Sequence, residues 1–248
     1  MKTGKSFRQG WREGLSGKIK RGLRFLKQAL LELVVVLVFA LLAQTPAAKV
    51  DVVIKSDAAG YYDYLPALFI YHDFVRKNRP ESNYPALYKR IDKKAFYVDY
   101  KGFKVDKYPV GTALLQGPFF LAAYWSKPLH GHPAGGFEKP FQHTVQTATL
   151  FYLLAGLIFL RKILEMYSIR KPVILFSQIL LVFATPVTHY ANFDAGFSHI
   201  YSFFALTAFF YFSRSFFTRY RVKDFLWACA FLGLILLLRQ INVLAVLF

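Results

Sequence analysis

The chain has 248 residues, 55% of them hydrophobic and 19% aromatic, with a formal charge of +18 from 32 Lys and Arg against 14 Asp and Glu. So apolar and aromatic a chain is not disordered, its single cysteine, Cys229, excludes a disulfide scaffold, and several apolar runs near bilayer length argue against a soluble enzyme. A charge of this sign and size would also suit a nucleic-acid binder, so where the basic residues fall decides its meaning.

In chain order, residues 1–28 form a basic segment with nine Lys and Arg. The apolar run from Ala29 to Ala43, continuing to Ala48, follows with Glu32 as its only charge, and is long enough to span. The long basic segment before it favours an uncleaved signal anchor over a signal peptide, although AQTPAAKV could supply a cleavage site. Glu32 near the cytoplasmic end is expected to snorkel or pair, with no further role.

A loop from Lys49 to Pro140 comes next. Asp57 follows the first span by only a few residues and must lie close to the membrane surface. Tyr61, Tyr62, Tyr64 and Tyr71 suit an interfacial aromatic belt. Leu65 to Phe74 is expected as a short helix along the membrane, and Arg76 to Lys94 as an irregular excursion containing Pro80 and Pro85. Phe96 to Val105 alternates loosely around Gly102 and predicts a small hairpin. Lys107-Tyr-Pro-Val-Gly111 turns into the short apolar run Gly111–Trp125, which carries Gln116, Gly117 and Pro118. His130 and His132 sit in a Gly/Pro turn and are read as solvated, with no metal motif.

Four more apolar runs follow: 141–160, 173–188, 197–213 and 225–238. Basic residues mark cytoplasmic loops. The loop after the 141–160 run holds Arg161, Lys162, Arg170 and Lys171; the loop after 197–213 holds Arg214, Arg219, Arg221 and Lys223; His189–Gly196 between them has neither Lys nor Arg. Every short loop obeys the rule if Gly111–Trp125 lies at the outer interface instead of crossing. The expected fold is therefore an all-α membrane protein of about five transmembrane helices, with interfacial helices in a long extracytoplasmic loop 49–140 and a cytoplasmic N-terminus. The Phe-rich stripe 203–217 is expected to face lipid. Most of the positive charge thus serves topology and anionic lipid, and nucleic acid is not an expected partner.

On this topology Asp57, Lys107, the loop His189–His199 with Asp194, and Arg239 share the outer side. A last helix starting at Phe225 carries Arg239 about 21 Å along its axis, which puts it either at the end of a tilted or shortened helix or within the outer leaflet. A guanidinium there suits a carboxylate or a lipid phosphate. One carboxylate and several cations at a membrane surface suffice for inverting sugar transfer from a lipid-phosphate donor. The leaving phosphate needs cations more than an acid, and the acceptor hydroxyl needs a base. No G-x-x-x-x-G-K-[ST], G-x-G-x-x-G or G-x-S-x-G pattern is present.

Asp57 in a D-x-x-G-Y-Y context, K-Y-P-V-G-T-A-L-L-Q-G-P-F-F from Lys107, an outer loop with Asp and His, and L-R-Q-I-N around Arg239 resemble the GT-C glycosyltransferases. These are the polytopic membrane enzymes of the protein O-mannosyltransferase and lipid A aminoarabinose transferase kind. The resemblance covers residues 29 to 242. It implies Asp57 as the catalytic base. Lys107, Tyr108, Arg239, His199, Asp194 and Tyr61 become candidate donor-phosphate or substrate contacts. A polyprenyl-phosphate sugar is the implied co-substrate, membrane lipids the surroundings, and the bacterial inner (cytoplasmic) membrane the location. No metal ligand set is assigned; a divalent ion has no motif behind it. Many members have Asp-Glu where this chain has Asp57-Ala58, which fits a single-carboxylate variant or reduced activity. Such enzymes have eight or more spans, so a chain ending at Phe248 inside an apolar run is expected to be a fragment. The alternatives are a transporter or flippase component and a noncatalytic truncated membrane protein.

Overall fold

The computed structural model describes residues 29–43, 52–74, 97–126 and 135–247. The basic segment 1–28, the AQTPAAKV stretch beyond Ala43, the excursion around Pro80 and Pro85, and the His130/His132 turn lie outside them. The described residues are mostly helical. Helix α1 is Ala29–Ala43 and α2 Asp57–Pro66, continued by one π-helical turn, Ala67–Tyr71. Strands β1 (Tyr97–Tyr100) and β2 (Phe103–Asp106) form an antiparallel hairpin. Then come α3 (Gly111–Trp125), α4 (Lys139–Met166), α5 (Lys171–Phe183), α6 (Val187–Asn192), α7 (Ser198–Arg219) and α8 (Val222–Leu238), and a 3-10 segment, Gln240–Leu247.

All five expected apolar runs are helices, but they are not equal. Helix α4, 28 residues, is the one described helix long and apolar enough to cross a membrane. Helices α5 and α8 have 13 and 17 residues. At about 1.5 Å per residue these span roughly 20 and 26 Å, less than a hydrocarbon core of about 30 Å. Helix α7 has the length, 22 residues, but its hydroxyl-bearing and basic residues hold its hydropathy down.

Pro172 and Pro140 sit in the first turns of α5 and α4, where a missing N–H costs nothing. Arg161, expected in a loop, is instead an interior residue of α4 and is buried. Its Nε donates to Glu32 Oε1 at 2.5 Å, and Gln178 Nε2 reaches the same oxygen at 3.5 Å. Glu32 therefore pairs rather than snorkels, tying α1 to α4 and α5. On α1, Glu32, Val35, Val36 and Phe39 recur at helical spacing and form the buried stripe.

This pairing also fixes which ends of the helices lie together. The start of α1 meets the end of α4, and the Arg214 guanidinium lies 5.2 Å from the Tyr167 ring. Lys162 is likewise over the Tyr211 ring. Helices α4 and α7 are therefore parallel, with their basic ends together. The 203–217 aromatics do not simply face outward. Phe204 and Phe212 pack with Phe159 of α4 and Phe231 of α8 at centroid distances of 5.6–6.2 Å. Phe203 sits where Gly156 leaves no room for even a methyl group.

Polar side chains are found inside and large apolar ones outside. Gln116, Gln142, Thr149, Arg161, Gln178 and Ser202 are buried, while α1 exposes Leu30, Leu37 and Leu41, α5 exposes Phe176, and α8 exposes Leu226 and Trp227.

Candidate functional site

At the end of the bundle opposite the basic cluster, four stretches of chain meet. Asp57 is the first residue of α2, with Ser56 before it at φ 48°. A carboxylate at this position complements the helix dipole. The expected helix from Leu65 thus begins eight residues earlier, and Asp57 belongs to it. The 52–56 approach is held from α4. Gln142 Oε1 accepts from the Val53 and Ile54 amides at 2.9 and 2.7 Å, and Gln142 Nε2 donates to the Phe137 carbonyl. Tyr62, fully buried beneath, donates to the Gly136 carbonyl at 2.5 Å; burial, then the nearby Glu138 and Asp63 charges, raise its phenol well above the ordinary range. Glu138 in turn accepts from the amides of Gly135, Gly136 and Phe137.

Tyr108 covers Asp57. Its hydroxyl donates to Asp57 Oδ1 at 2.6 Å, and its ring lies 4.7 Å from the Tyr61 ring. Its amide donates to Asp106 and its carbonyl accepts from Tyr64. Burial and the Asp57 hydrogen bond hold the Tyr108 phenol well above its usual range, so it remains a donor. Asp57 Oδ2 has no protein partner among the described residues. Lys107 is exposed, with its ammonium 5.3 Å from the Tyr108 ring. Tyr61 is buried and accepts from the Ser198 hydroxyl at 3.1 Å.

The loop between α6 and α7 closes on this group. Gly196 allows it: a Cβ there would lie 2.4 Å from the Ala58 Cβ. Gln146 of α4 holds the Ala191 carbonyl, and the Thr149 hydroxyl contacts the Ala195 carbonyl. Asp194 accepts from His189 Nε2 at 2.6 Å and lies 3.5 Å from the Lys55 ammonium. His199 stacks on Tyr190 with centroids 3.6 Å apart, and its Nδ1 is buried without a hydrogen-bond partner. Arg239, Asp194, Asp57 and His189 all lie within electrostatic reach of this ring.

Arg239 arrives from α8. The helix stops at Leu238 and Arg239 is extended, φ −157° and ψ 123°, so it stands at the end of a shortened helix. It makes no ion pair with any described residue. Gly111 sets its position: the α3 start packs so closely that a Cβ would be 2.5 Å from the Leu237 backbone.

Asp57, Tyr61, Lys107, Tyr108, Asp194, His199 and Arg239 thus come to one neighbourhood. Tyr108 and Tyr61 are engaged inside the protein, whereas Asp57 Oδ2, Lys107 and Arg239 remain available. Lys55, Gln142 and Ser198 were not anticipated. Gln142 gives no sequence signal, because its partners lie nearly ninety residues away; Lys55, two residues before Asp57, could have been noticed. No cluster of three His, Cys, Asp or Glu that could hold a metal occurs among the described residues. The chain matches no family model, no curated protein and no solved structure.

Proposed function

We propose that the chain is a membrane glycosyltransferase of the GT-C kind, moving a sugar from a polyprenyl-phosphate donor to an acceptor on the extracytoplasmic side of a bacterial inner membrane, with its N-terminus in the cytoplasm. The membrane reading is supported by the large apolar side chains that the helices leave exposed around an apolar core. Exposed Leu, Phe and Trp on α1, α5 and α8 would each cost about 1.5–3 kcal/mol left in water, and lipid removes that cost. The basic ends of α4, α5, α7 and α8 lie on one side and Asp57 on the other, in keeping with the loop charges. The short helices α5 and α8 fit a locally thinned bilayer.

The observation that carries the chemistry is the Asp57 carboxylate. One oxygen is held by Tyr108 and the other has no partner among the described residues, while Lys107 and Arg239, in no ion pair with a described residue, lie at the same end of the bundle. In the reaction, Asp57 Oδ2 takes the proton from the acceptor hydroxyl. The acceptor oxygen bonds to the anomeric carbon, and the carbon–oxygen bond to phosphate breaks with its electron pair on the leaving polyprenyl phosphate. Arg239 and Lys107 neutralise that charge. His199, with an unsatisfied ring nitrogen, and Asp194 line the acceptor side.

The test is sugar transfer from a radiolabelled polyprenyl-phosphate donor by the purified protein in nanodiscs. Wild-type transfer that disappears in Asp57→Asn is the expected result. Transfer that persists in Asp57→Asn refutes the mechanism, and no transfer with any lipid-linked donor refutes the activity.

A further inference from the structure

The β1–β2 hairpin has two unlike faces. Its register pairs Tyr97 with Asp106, Val98 with Val105, Asp99 with Lys104 and Tyr100 with Phe103. Side chains alternate along a strand, and directly paired residues share a face. One face is therefore Tyr97, Asp99, Lys104 and Asp106, and the other is Val98, Tyr100, Phe103 and Val105. At its base the first is turned to the protein: the Tyr97 hydroxyl donates to the buried Asp63 carboxylate, and Asp106 accepts from the Tyr108 amide, while Asp99 and Lys104 nearer the turn are exposed. The second is wholly apolar or aromatic and is uncovered, with exposures of 53, 58, 51 and 47% in the order given.

The orientation is not free to reverse. Both turn residues, Lys101 and Gly102, have positive φ, at 51° and 81°, which gives a tight two-residue connection. The Tyr97 and Asp106 tethers then hold the polar face inward. A hairpin built for water would carry the opposite pattern, since an exposed apolar face on a short two-stranded sheet gains nothing in solvent.

What the outer face would meet is indicated by its tip and its neighbours. The Lys101 ammonium lies over the Tyr100 ring, 5.3 Å from its centroid. An aromatic ring with a cation at its edge suits the headgroup boundary, where the ring sits among upper acyl chains and the ammonium reaches phosphate and water. The hairpin leads through Lys107–Val110 directly into α3, which exposes Leu114 and Trp125, and leans on α2, whose π-helical extension exposes Leu68 ahead of Phe74.

We propose that the hairpin is a membrane-surface anchor, its Val98/Tyr100/Phe103/Val105 face lying in the headgroup region of the bilayer. The anchor fixes the height of the adjoining Lys107–Tyr108 segment, and hence of the cover over Asp57, relative to lipid phosphates. It rests on the membrane reading above but not on the glycosyltransferase chemistry.

Spin labels test this in the full chain reconstituted into phosphatidylethanolamine–phosphatidylglycerol liposomes, on a Cys229→Ser background. Val98→Cys, Tyr100→Cys, Phe103→Cys and Val105→Cys report the outer face, and Asp99→Cys and Lys104→Cys the opposite one. Leu37→Cys and Phe176→Cys serve as references on α1 and α5. Accessibility to oxygen relative to a water-soluble nickel chelate is expected to be severalfold higher at 98, 100, 103 and 105 than at 99 and 104. Equal nickel access at all six positions overturns the anchor. Low access to both reagents at the four outer positions also overturns it, by showing that protein, a second copy or a partner, covers the face. If Leu37 and Phe176 are lipid-accessible while the hairpin is not, only the anchor fails. If they too are open to nickel, the membrane reading fails with it.

Discussion

The Tyr108 hydroxyl and the Asp57 carboxylate are 51 residues apart in the chain and 2.6 Å apart in the fold. The phenol holds Oδ1 and leaves Oδ2 without a partner among the described residues, so the proposed base would be oriented before a substrate arrives. In the fold the Tyr108 hydroxyl donates to Asp57. A hydrogen bond to a charged group contributes about 1.5–3 kcal/mol. Tyr108→Phe should therefore lower kcat roughly ten- to a hundredfold while leaving the donor KM nearly unchanged. Steady-state kinetics with varied donor would measure both; a rise in KM at constant kcat would assign Tyr108 to donor binding instead.

Arg239 predicts the opposite split. It is in no ion pair with a described residue and lies within electrostatic reach of His199, and its proposed part is to meet anionic phosphate. Arg239→Ala should raise the donor KM by roughly tenfold or more, and Arg239→Lys should recover part of the loss, since Lys keeps the charge but not the bidentate geometry. Direct binding of unsubstituted polyprenyl phosphate, by fluorescence or calorimetry, should weaken in parallel. Unchanged binding in Arg239→Ala would remove it from the phosphate site.

Glu32 and Arg161 predict stability. Their side chains are almost wholly buried, and Glu32 Oε2 and Arg161 Nη2 have no other partner. Removing Arg161 strands the Glu32 carboxylate, at a cost of about 3–5 kcal/mol, whereas removing Glu32 leaves Arg161 its part-exposed Glu165 partner at 3.3 Å and should cost less. Arg161→Leu alone should lower the unfolding temperature in detergent markedly and Glu32→Leu alone by less, whereas the double variant should lie close to wild type. Equal damage from the double and single variants would contradict the pairing.

Gly111 and Gly196 predict local intolerance of one methyl group. At Gly111 the obstruction is the Leu237 and Leu238 backbone, and at Gly196 it is Ala58. Neither can swing away as a flexible side chain would. Gly111→Ala and Gly196→Ala should each destabilise by about 1–3 kcal/mol and should reduce transfer more than stability alone explains, because both contacts set the site. Thermal unfolding alongside activity separates the two effects.

The sequence made the long apolar helices legible because α4, α7 and α8 announce themselves by runs of apolar residues. The hairpin was legible from alternation around Gly102. Asp57, Lys107, Asp194 and Arg239 could be assigned to one side from loop charges alone. What remained hidden depends on contacts between distant segments. The start of α2 at Asp57 is set by Gln142 gripping Val53 and Ile54, not by local propensity. Arg161 reads as a loop residue by composition, and only its Glu32 partner explains why α4 carries it inside. The end of α8 at Leu238 agrees with the apolar run 225–238, and Arg239 stands at the end of a shortened helix, one of the two positions open to it.

The notch at Gly111 has a consequence for biosynthesis. The 107–111 stretch is made early, yet the backbone that fills the notch belongs to Leu237 and Leu238, which leave the ribosome more than a hundred residues later. Until then the contact between the start of α3 and the end of α8 cannot form, and Arg239 cannot come within electrostatic reach of His199. Chains interrupted before that point would therefore hold the Asp57 carboxylate without Arg239 at the same end of the bundle.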